Sequence, residues 1–298
     1  MQIGMIGIGR MGHGIAQNLQ KHGHLLRVLA HDGNQPLTSL IAGGATISTS
    51  AAELASQSDT LILCLTGTPQ VETVLLGPGG VLEGLKPGTV VIDCSTAVPS
   101  SSIRMAQAVE KAGGRFLDAP MTRTPKEAAE GRLNLLVGGD QALLEECRPV
   151  LSCFAENITH TGPVGSGHQM KLLHNYVSLG FIALLSEAAA CATRSGIAPS
   201  VFINVLTSGG GGSVALDRVG PFLQSGDTSS LLFSMANAKK DLLYYAAMAD
   251  EAGAVDNISS AILKTFSKGL DEGGENALVL ELSKLLIDRE KRALQPEP

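Results

Sequence analysis

The sequence predicts an α/β fold: a doubly wound parallel sheet over residues 1–163, followed by an all-helical domain over 164–298. Short apolar runs alternate with helical stretches up to about residue 160. A glycine-rich turn follows the first of those runs, and beyond Gly162-Pro163 the period-two alternation of strands is gone.

Residues 2–6, 27–30, 60–65, 90–94, 116–118 and 134–137 read as strands. Residues 11–21, 51–57, 69–75, 101–112 and 141–151 read as the helices between them. Apolar strands separated by helices imply crossover connections and a sheet covered on both faces. The second half begins with one long helical pattern over 168–195. Helices then follow at 199–208, 213–223, 234–252, 258–272 and 277–294, with a frayed tail after them. Gly209-Gly210-Gly211-Gly212 follows no strand, so it reads as a break between helices rather than a phosphate loop.

At 298 residues the chain has room for two ordinary domains. Hydrophobic residues at 44% and charged residues at 17% suit a compact protein, and aromatics at 3% require an aliphatic core. The net charge of −6 and the lack of a basic stripe argue against a nucleic-acid partner, while leaving room for a local cationic pocket. The five cysteines are scattered, without CxxC or His/Cys ligand spacing, so reduced thiols, a cytoplasmic location and no metal are expected. The start of the chain lacks the basic and cleavage features of a leader. The longest apolar stretch, 177–185, is too short for a bilayer and is interrupted by Ser178 and Gly180, so no membrane partner is expected.

The glycine turn is Gly7-Ile8-Gly9-Arg10-Met11-Gly12, with an apolar strand before it and a helix after it. In that context the pattern is a Rossmann-type dinucleotide fingerprint. Gly7 permits the tight turn, Gly9 a close backbone approach to pyrophosphate, and Gly12 close packing of helix on strand. The pyrophosphate would sit on the helix N-terminus at Arg10 and Met11. The second strand leads into Ala30-His31-Asp32. Asp32 stands about where an acid takes the ribose hydroxyls of NAD, whereas His31 offers a weak cation toward the phosphate of NADP. Either cofactor fits. Leu65 and Thr66, closing the third strand, complete the cofactor side.

On the long helix, Lys171, His174, Asn175 and Ser178 fall at i, i+3, i+4 and i+7, on one face. A polar stripe on an otherwise apolar helix suits a wet cleft. Lysine in a cleft can act as general acid/base, giving a proton to a nascent alkoxide as hydride arrives. The competing reading is a lysine snorkelling over a polar contact. Asp118-Ala119-Pro120-Met121-Thr122-Arg123-Thr124 follows a strand, where ligand loops lie. Arg123 between two hydroxyls suits a carboxylate, sulfonate or phosphate, or else is a solvated loop arginine. Lys239-Lys240-Asp241 by itself reads as a solvated helix face.

Together these pieces resemble the β-hydroxyacid dehydrogenase family, from residue 1 to about residue 270. The motifs are Gly7 to Gly12, Asp118-Ala119-Pro120, Gly165-Ser166-Gly167 leading to Lys171 and Asn175, and Phe233 with Lys240-Asp241-Leu242. The resemblance implies Lys171 as catalytic lysine, Asn175 as substrate-positioning residue and Thr96 beside the nicotinamide. It also implies Lys240 at the cofactor and Phe233 as a pocket wall. Ser95, Thr122, Arg123, Thr124, His174 and Ser178 complete the expected substrate side. Most members carry Ser-Gly-Gly where this chain has Thr122-Arg123-Thr124. An arginine in that loop, with Tyr176 and Ser178 on the helix, is similar to the sulfolactaldehyde reductase subgroup, although His174 and Ala30 depart from it. The implied reaction is NAD- or NADP-dependent reduction of a short aldehyde acid, or its reverse, in a homodimer or homotetramer. An imine reductase lacks such a lysine, a decarboxylating sugar-phosphate dehydrogenase is a longer chain, and a dinucleotide-binding scaffold is the non-enzymatic alternative.

Overall fold

The computed structural model describes residues 1–293. By its contacts the chain forms two units, Met1–Lys171 and the remainder from Leu172.

The first unit runs β1 (Gln2–Ile6), α1 (Arg10–Lys21), β2 (Leu25–Leu29), α2 (Thr38–Ala42), β3 (Thr46–Ser48), α3 (Ala51–Ser56) and β4 (Thr60–Leu63). It continues through α4 (Thr68–Leu76), α5 (Val81–Gly84), β5 (Val90–Asp93), α6 (Pro99–Lys111), β6 (Arg115–Asp118) and β7 (Met121–Thr122). Then come α7 (Pro125–Glu130), β8 (Leu133–Gly138), α8 (Gln141–Leu151), β9 (Ala155–Gly162) and the start of α9 (Ser166–Arg194). The strand order is β3-β2-β1-β4-β5-β6-β8-β7, with β9 on β8.

Burial on both faces explains the strand sequences. Ile62 joins one apolar cluster while Leu61 and Leu63 join the other, and Ile92 and Val91 divide in the same way. An α/β sheet covered by helices requires such unbroken apolar strands.

Two short strands, β3 and β7, the eight-residue β9 and three short helices, α2, α5 and α7, lie where the sequence reads no element. β9 reads Ala-Glu-Asn-Ile-Thr-His-Thr-Gly, with mostly polar, part-exposed residues, so its sequence lacks an apolar run. The sheet is also not wholly parallel, because β8 runs antiparallel to β6 and β7. β2 lies two residues earlier than expected at its start and ends at Leu29, leaving Ala30 beyond the strand.

The second unit holds the rest of α9, then α10 (Pro199–Thr207), α11 (Val214–Ser225), α12 (Met235–Glu251), α13 (Asn257–Gly273), a 3-10 turn (Val279–Glu281) and α14 (Leu282–Ala293). The helix expected over 277–294 is thus a 3-10 turn followed by an α-helix, and position 294 lies outside the described residues. Its core joins Leu179 and Ile182 of α9 to Leu216, Val219, Leu242, Ile262 and Phe266. Tyr176 and Tyr245 stack beside it with centroids 4.2 Å apart.

One expectation fails on length. α9 has 29 residues and contains an 18-residue window of mean hydropathy 1.5, enough to cross a bilayer by length and composition. Half of that window is buried inside the molecule, as in a core helix.

Candidate active site

The dinucleotide turn has the shape its glycines predict. Gly7 adopts φ +95°, and a Cβ there would lie 2.3 Å from the Cys64 carbonyl oxygen. A Cβ on Gly12 would lie 2.0 Å from the Gly7 carbonyl oxygen. Both positions therefore exclude any side chain. Around Gly9, by contrast, an added Cβ meets nothing within 4 Å. Gly9 is also the N-cap of α1, with no side chain capping that end. The first-turn N–H groups of Arg10, Met11 and Gly12 thus face a space that a pyrophosphate fits.

Asn34 holds this turn against the end of β2. Its Oδ1 accepts the Ile8 N–H (3.2 Å) and its Nδ2 donates to the Leu29 carbonyl (2.9 Å). Ala30, His31 and Asp32 follow on the exposed loop. The His31 Nδ1 accepts the Gly33 N–H (2.9 Å), so in the neutral ring its proton sits on Nε2.

β4, β5 and β6 bring Leu65–Thr66, Ser95–Thr96 and Asp118 to the same carboxyl edge of the sheet. Ligands of open α/β sheets bind outside this edge. The Leu65 N–H donates to Ser95 Oγ (2.9 Å), joining the first two turns. Ser95 is 3% exposed, so its hydroxyl is turned inward rather than toward a ligand. Thr96 beside it is half-buried and Thr66 is exposed.

Beneath these turns lies a buried polar cluster. Asp118 accepts the Gly165 N–H on Oδ1 and the His168 N–H on Oδ2, both at 2.8 Å, and so caps the start of α9. The His168 ring reaches the Ser95 carbonyl through Nε2 (3.1 Å) and the Ser102 hydroxyl through Nδ1 (2.8 Å). Asp93 accepts the Ser95 N–H (2.9 Å). Burial pushes its carboxyl above the ordinary aspartate value, against the opposing pull of His168 and the hydrogen bonds from Ser95. Burial likewise pushes the Cys64 thiol up to about 12 and Cys94 well above its ordinary value.

Lys171 stands in the second turn of α9 and is half-buried. Asn175 follows one turn later, buried, with its Nδ2 donating to Asp241 Oδ2 (2.6 Å). Its Oδ1 lies 3.0 Å from His174 Nδ1, so the amide orientation is set at both ends. The Ser178 hydroxyl donates back to the Asn175 carbonyl (3.2 Å). Lys240 lies 3.1 Å from the other Asp241 oxygen and 5.4 Å from the Tyr244 ring centroid. Phe233 packs against the core of the helical unit just before α12.

The loop after β6 departs from expectation. Arg123 has φ +81°, alone among the described non-glycine residues in adopting a positive φ. Such a backbone is strained for a long side chain and persists only when its surroundings enforce it. Here the guanidinium pairs with Glu156 of β9 and donates to the Arg132 carbonyl. Thr124 caps α7 in a reciprocal box with Glu127, and Thr122 accepts from Asn134 Nδ2 (3.0 Å). All three side chains are thus engaged within the loop and its sheet neighbours.

Comparison with known proteins gives this geometry a family. A family model for the NAD binding domain of 6-phosphogluconate dehydrogenase matches residues 2–162. A second, for the NAD-binding region of NADP-dependent 3-hydroxyisobutyrate dehydrogenase, matches residues 165–286. The 2-(hydroxymethyl)glutarate dehydrogenase of Eubacterium barkeri is 34% identical over 260 residues, 87% of this chain and 84% of its own. The chain belongs to the β-hydroxyacid dehydrogenase family. The NAD-dependent L-serine dehydrogenase of Pseudomonas aeruginosa is 34% identical over 226 residues, 74% of each chain. Mycobacterium tuberculosis 3-hydroxyisobutyrate dehydrogenase, solved with L-serine, superposes with TM-score 0.85 at 26% identity, covering 96% of this chain and 98% of that one.

As a β-hydroxyacid dehydrogenase, the protein is an NAD(P)-dependent oxidoreductase acting on a CH–OH group. Several residues that build its site escaped notice in the sequence. His168, Ser102 and Asp93 come together only in the fold. Asp241 reads there as part of a charged helix face, yet it is 3% exposed and holds Asn175. Beside its place in the Lys240-Asp241-Leu242 motif, its local signal is the apolar Leu242 and Tyr245 on the same side of α12.

Proposed function

We propose that this enzyme interconverts a short aldehyde acid and the matching hydroxy acid, with Lys171 as general acid/base. The observation that carries the reading is Lys171 on α9, whose first turn Asp118 caps at the carboxyl edge of the dinucleotide-binding sheet. A nicotinamide bound along that edge would supply or accept the hydride. Lys171 Nζ gives a proton to the carbonyl oxygen during reduction and takes it from the hydroxyl during oxidation. Asn175 Nδ2 carries two hydrogens, one committed to Asp241, and the other is suited to the same substrate oxygen. Thr96, on the turn after β5, would border the nicotinamide.

The substrate is small and carries an anion, a carboxylate or a sulfonate such as that of sulfolactaldehyde. Arg123 is the reason for naming the sulfonate, and Thr122 and Thr124 flank it. To bind a substrate anion, its guanidinium must exchange the Glu156 carboxylate for it. The reaction proceeds in a homodimer or homotetramer, supported by Leu173, Val177, Phe181 and Leu184 on α9, which are 41 to 65% exposed. An apolar stripe of that kind marks an association surface. The five cysteines are free, in keeping with a cytoplasmic location.

Purified enzyme should be assayed with NADH and NADPH against sulfolactaldehyde, succinic, tartronate and methylmalonate semialdehydes and glyoxylate, and in reverse with L-serine. Lys171→Ala should retain cofactor binding and lose most turnover with whichever substrate is best. A Lys171→Ala enzyme with kcat near wild type would refute the assignment. Arg123→Gly should penalise sulfolactaldehyde far more than glyoxylate, and equal losses would remove the sulfonate reading.

A further inference from the structure

We propose that His168 is a positioning residue for Lys171, tying the first turn of α9 to the cofactor-side ends of β5 and β6. The proposal rests on the reading of Lys171 as proton donor. His168 is fully buried and uses every polar group it has. The Nε2–H donates to the Ser95 carbonyl (3.1 Å), because a carbonyl can only accept. Nδ1 lies 2.8 Å from the Ser102 hydroxyl on α6, accepting from it in the neutral ring and donating to it in the charged one. The backbone N–H donates to Asp118 (2.8 Å), whose Oδ2 also lies 3.5 Å from Nδ1.

A buried imidazole is costly unless both nitrogens are bonded. That condition is met for one ring orientation and one depth of the helix start, so the ring specifies position where an apolar side chain would merely fill space. Lys171 follows His168 by three residues, about 4.5 Å along the helix and on the neighbouring face. A shift of the first turn therefore carries Lys171 with it. The anchor is equally informative, since Ser95 immediately precedes Thr96 and its hydroxyl holds Leu65. One side chain thus references the proton donor to the turns that border the cofactor. Misplacement of a reacting group by about 1 Å can cost on the order of a hundredfold in rate.

The test compares His168→Leu, which fills the volume without donors, with His168→Gln, whose terminal amide can restore the bond to Ser95. His168→Leu should lose kcat by about ten- to a hundredfold. Its cofactor Kd should stay near wild type, and its solvent deuterium isotope effect should increase as proton transfer becomes limiting. His168→Gln should recover most of kcat. Amide hydrogen exchange over residues 165–171 should accelerate in the leucine variant and return in the glutamine variant. Ser102→Ala, which removes one ring partner and little volume, should show the same pattern more weakly and serves if His168→Leu does not fold. Unchanged kcat with unchanged exchange in a folded variant would overturn the proposal. Should wild type lack turnover on the whole panel, the Lys171 reading fails, and exchange at 165–171 alone decides whether His168 holds the helix.

Discussion

Replacing Gly9 by alanine separates the two jobs of the glycine turn. A Cβ at Gly9 meets nothing within 4 Å, and the residue has φ −77°, which any side chain tolerates. Two opposing effects on folding nearly cancel. Loss of a good N-cap costs about 0.5–1 kcal/mol, and the lower entropy of the unfolded chain returns about 0.4–1 kcal/mol. Tm should therefore move by no more than about 2–4 °C. Cofactor binding should suffer much more. The new methyl group would project into the open space beside the start of α1, where the pyrophosphate would sit. Each displaced charge-assisted hydrogen bond is worth about 1.5–3 kcal/mol, or roughly ten- to a hundredfold in Kd. Calorimetric titration with NADH and NADPH, beside a thermal melt, reads both quantities. Gly12→Ala is the contrasting control, since its Cβ would lie 2.0 Å from the Gly7 carbonyl oxygen and must disrupt the fold itself. A folded Gly9→Ala protein that binds cofactor as wild type does would show that no phosphate rests on this turn.

Three further outcomes follow from the same structure. A carboxyl whose folded-state value is raised contributes stability below its unfolded value and loses it as pH rises through the folded value. Burial raises Asp93 in this way, so wild type should lose stability as pH rises above the ordinary aspartate range. Asp93→Asn should lessen that slope in urea titrations, and parallel slopes would contradict the shift. With Cys64 held near 12 and Cys94 higher still, neither thiol should be labelled by a thiol reagent at neutral pH before unfolding, as followed by peptide mass analysis. Phe181→Glu places a charge in the exposed stripe of α9 and should shift the protein toward monomer in light scattering. A monomeric wild type at micromolar concentration would remove the oligomer.

Legibility from sequence tracked how local each determinant is. The central strands were readable because burial on both faces demands runs such as Thr60–Leu63 and Val90–Asp93, with little polar interruption. β9 was not, since its pairing with β8 leaves most of its side chains part-exposed and imposes no apolar pattern. The short α7 was hidden for another reason. Its Thr124-Pro125 start and Glu127 form a capping box within the stretch that also reads as a ligand loop. The same segment carries both a helix-capping signal and an anion-binding one.

The site divides along a related line. Residues proposed to meet a ligand, such as Gly9, Lys171 and Asn175, announce themselves because a helix N-terminus or a polar stripe on an apolar helix needs explaining. Residues that hold those groups in place give weaker signals, Asp118 and Asp241 only as parts of motifs and His168 none. Asp118, His168 and Asp241 are 0 to 3% exposed, and each acts on a partner far away in sequence. Asp241 lies 66 residues from Asn175, and His168 lies 73 from Ser95. No spacing rule reaches across such intervals, so a buried charge there looks like an exposed one until the fold is known. Chemistry in this protein thus depends on two layers. The outer layer is visible as motif, and the inner one consists of buried polar groups whose satisfied hydrogen bonds determine where the outer layer stands.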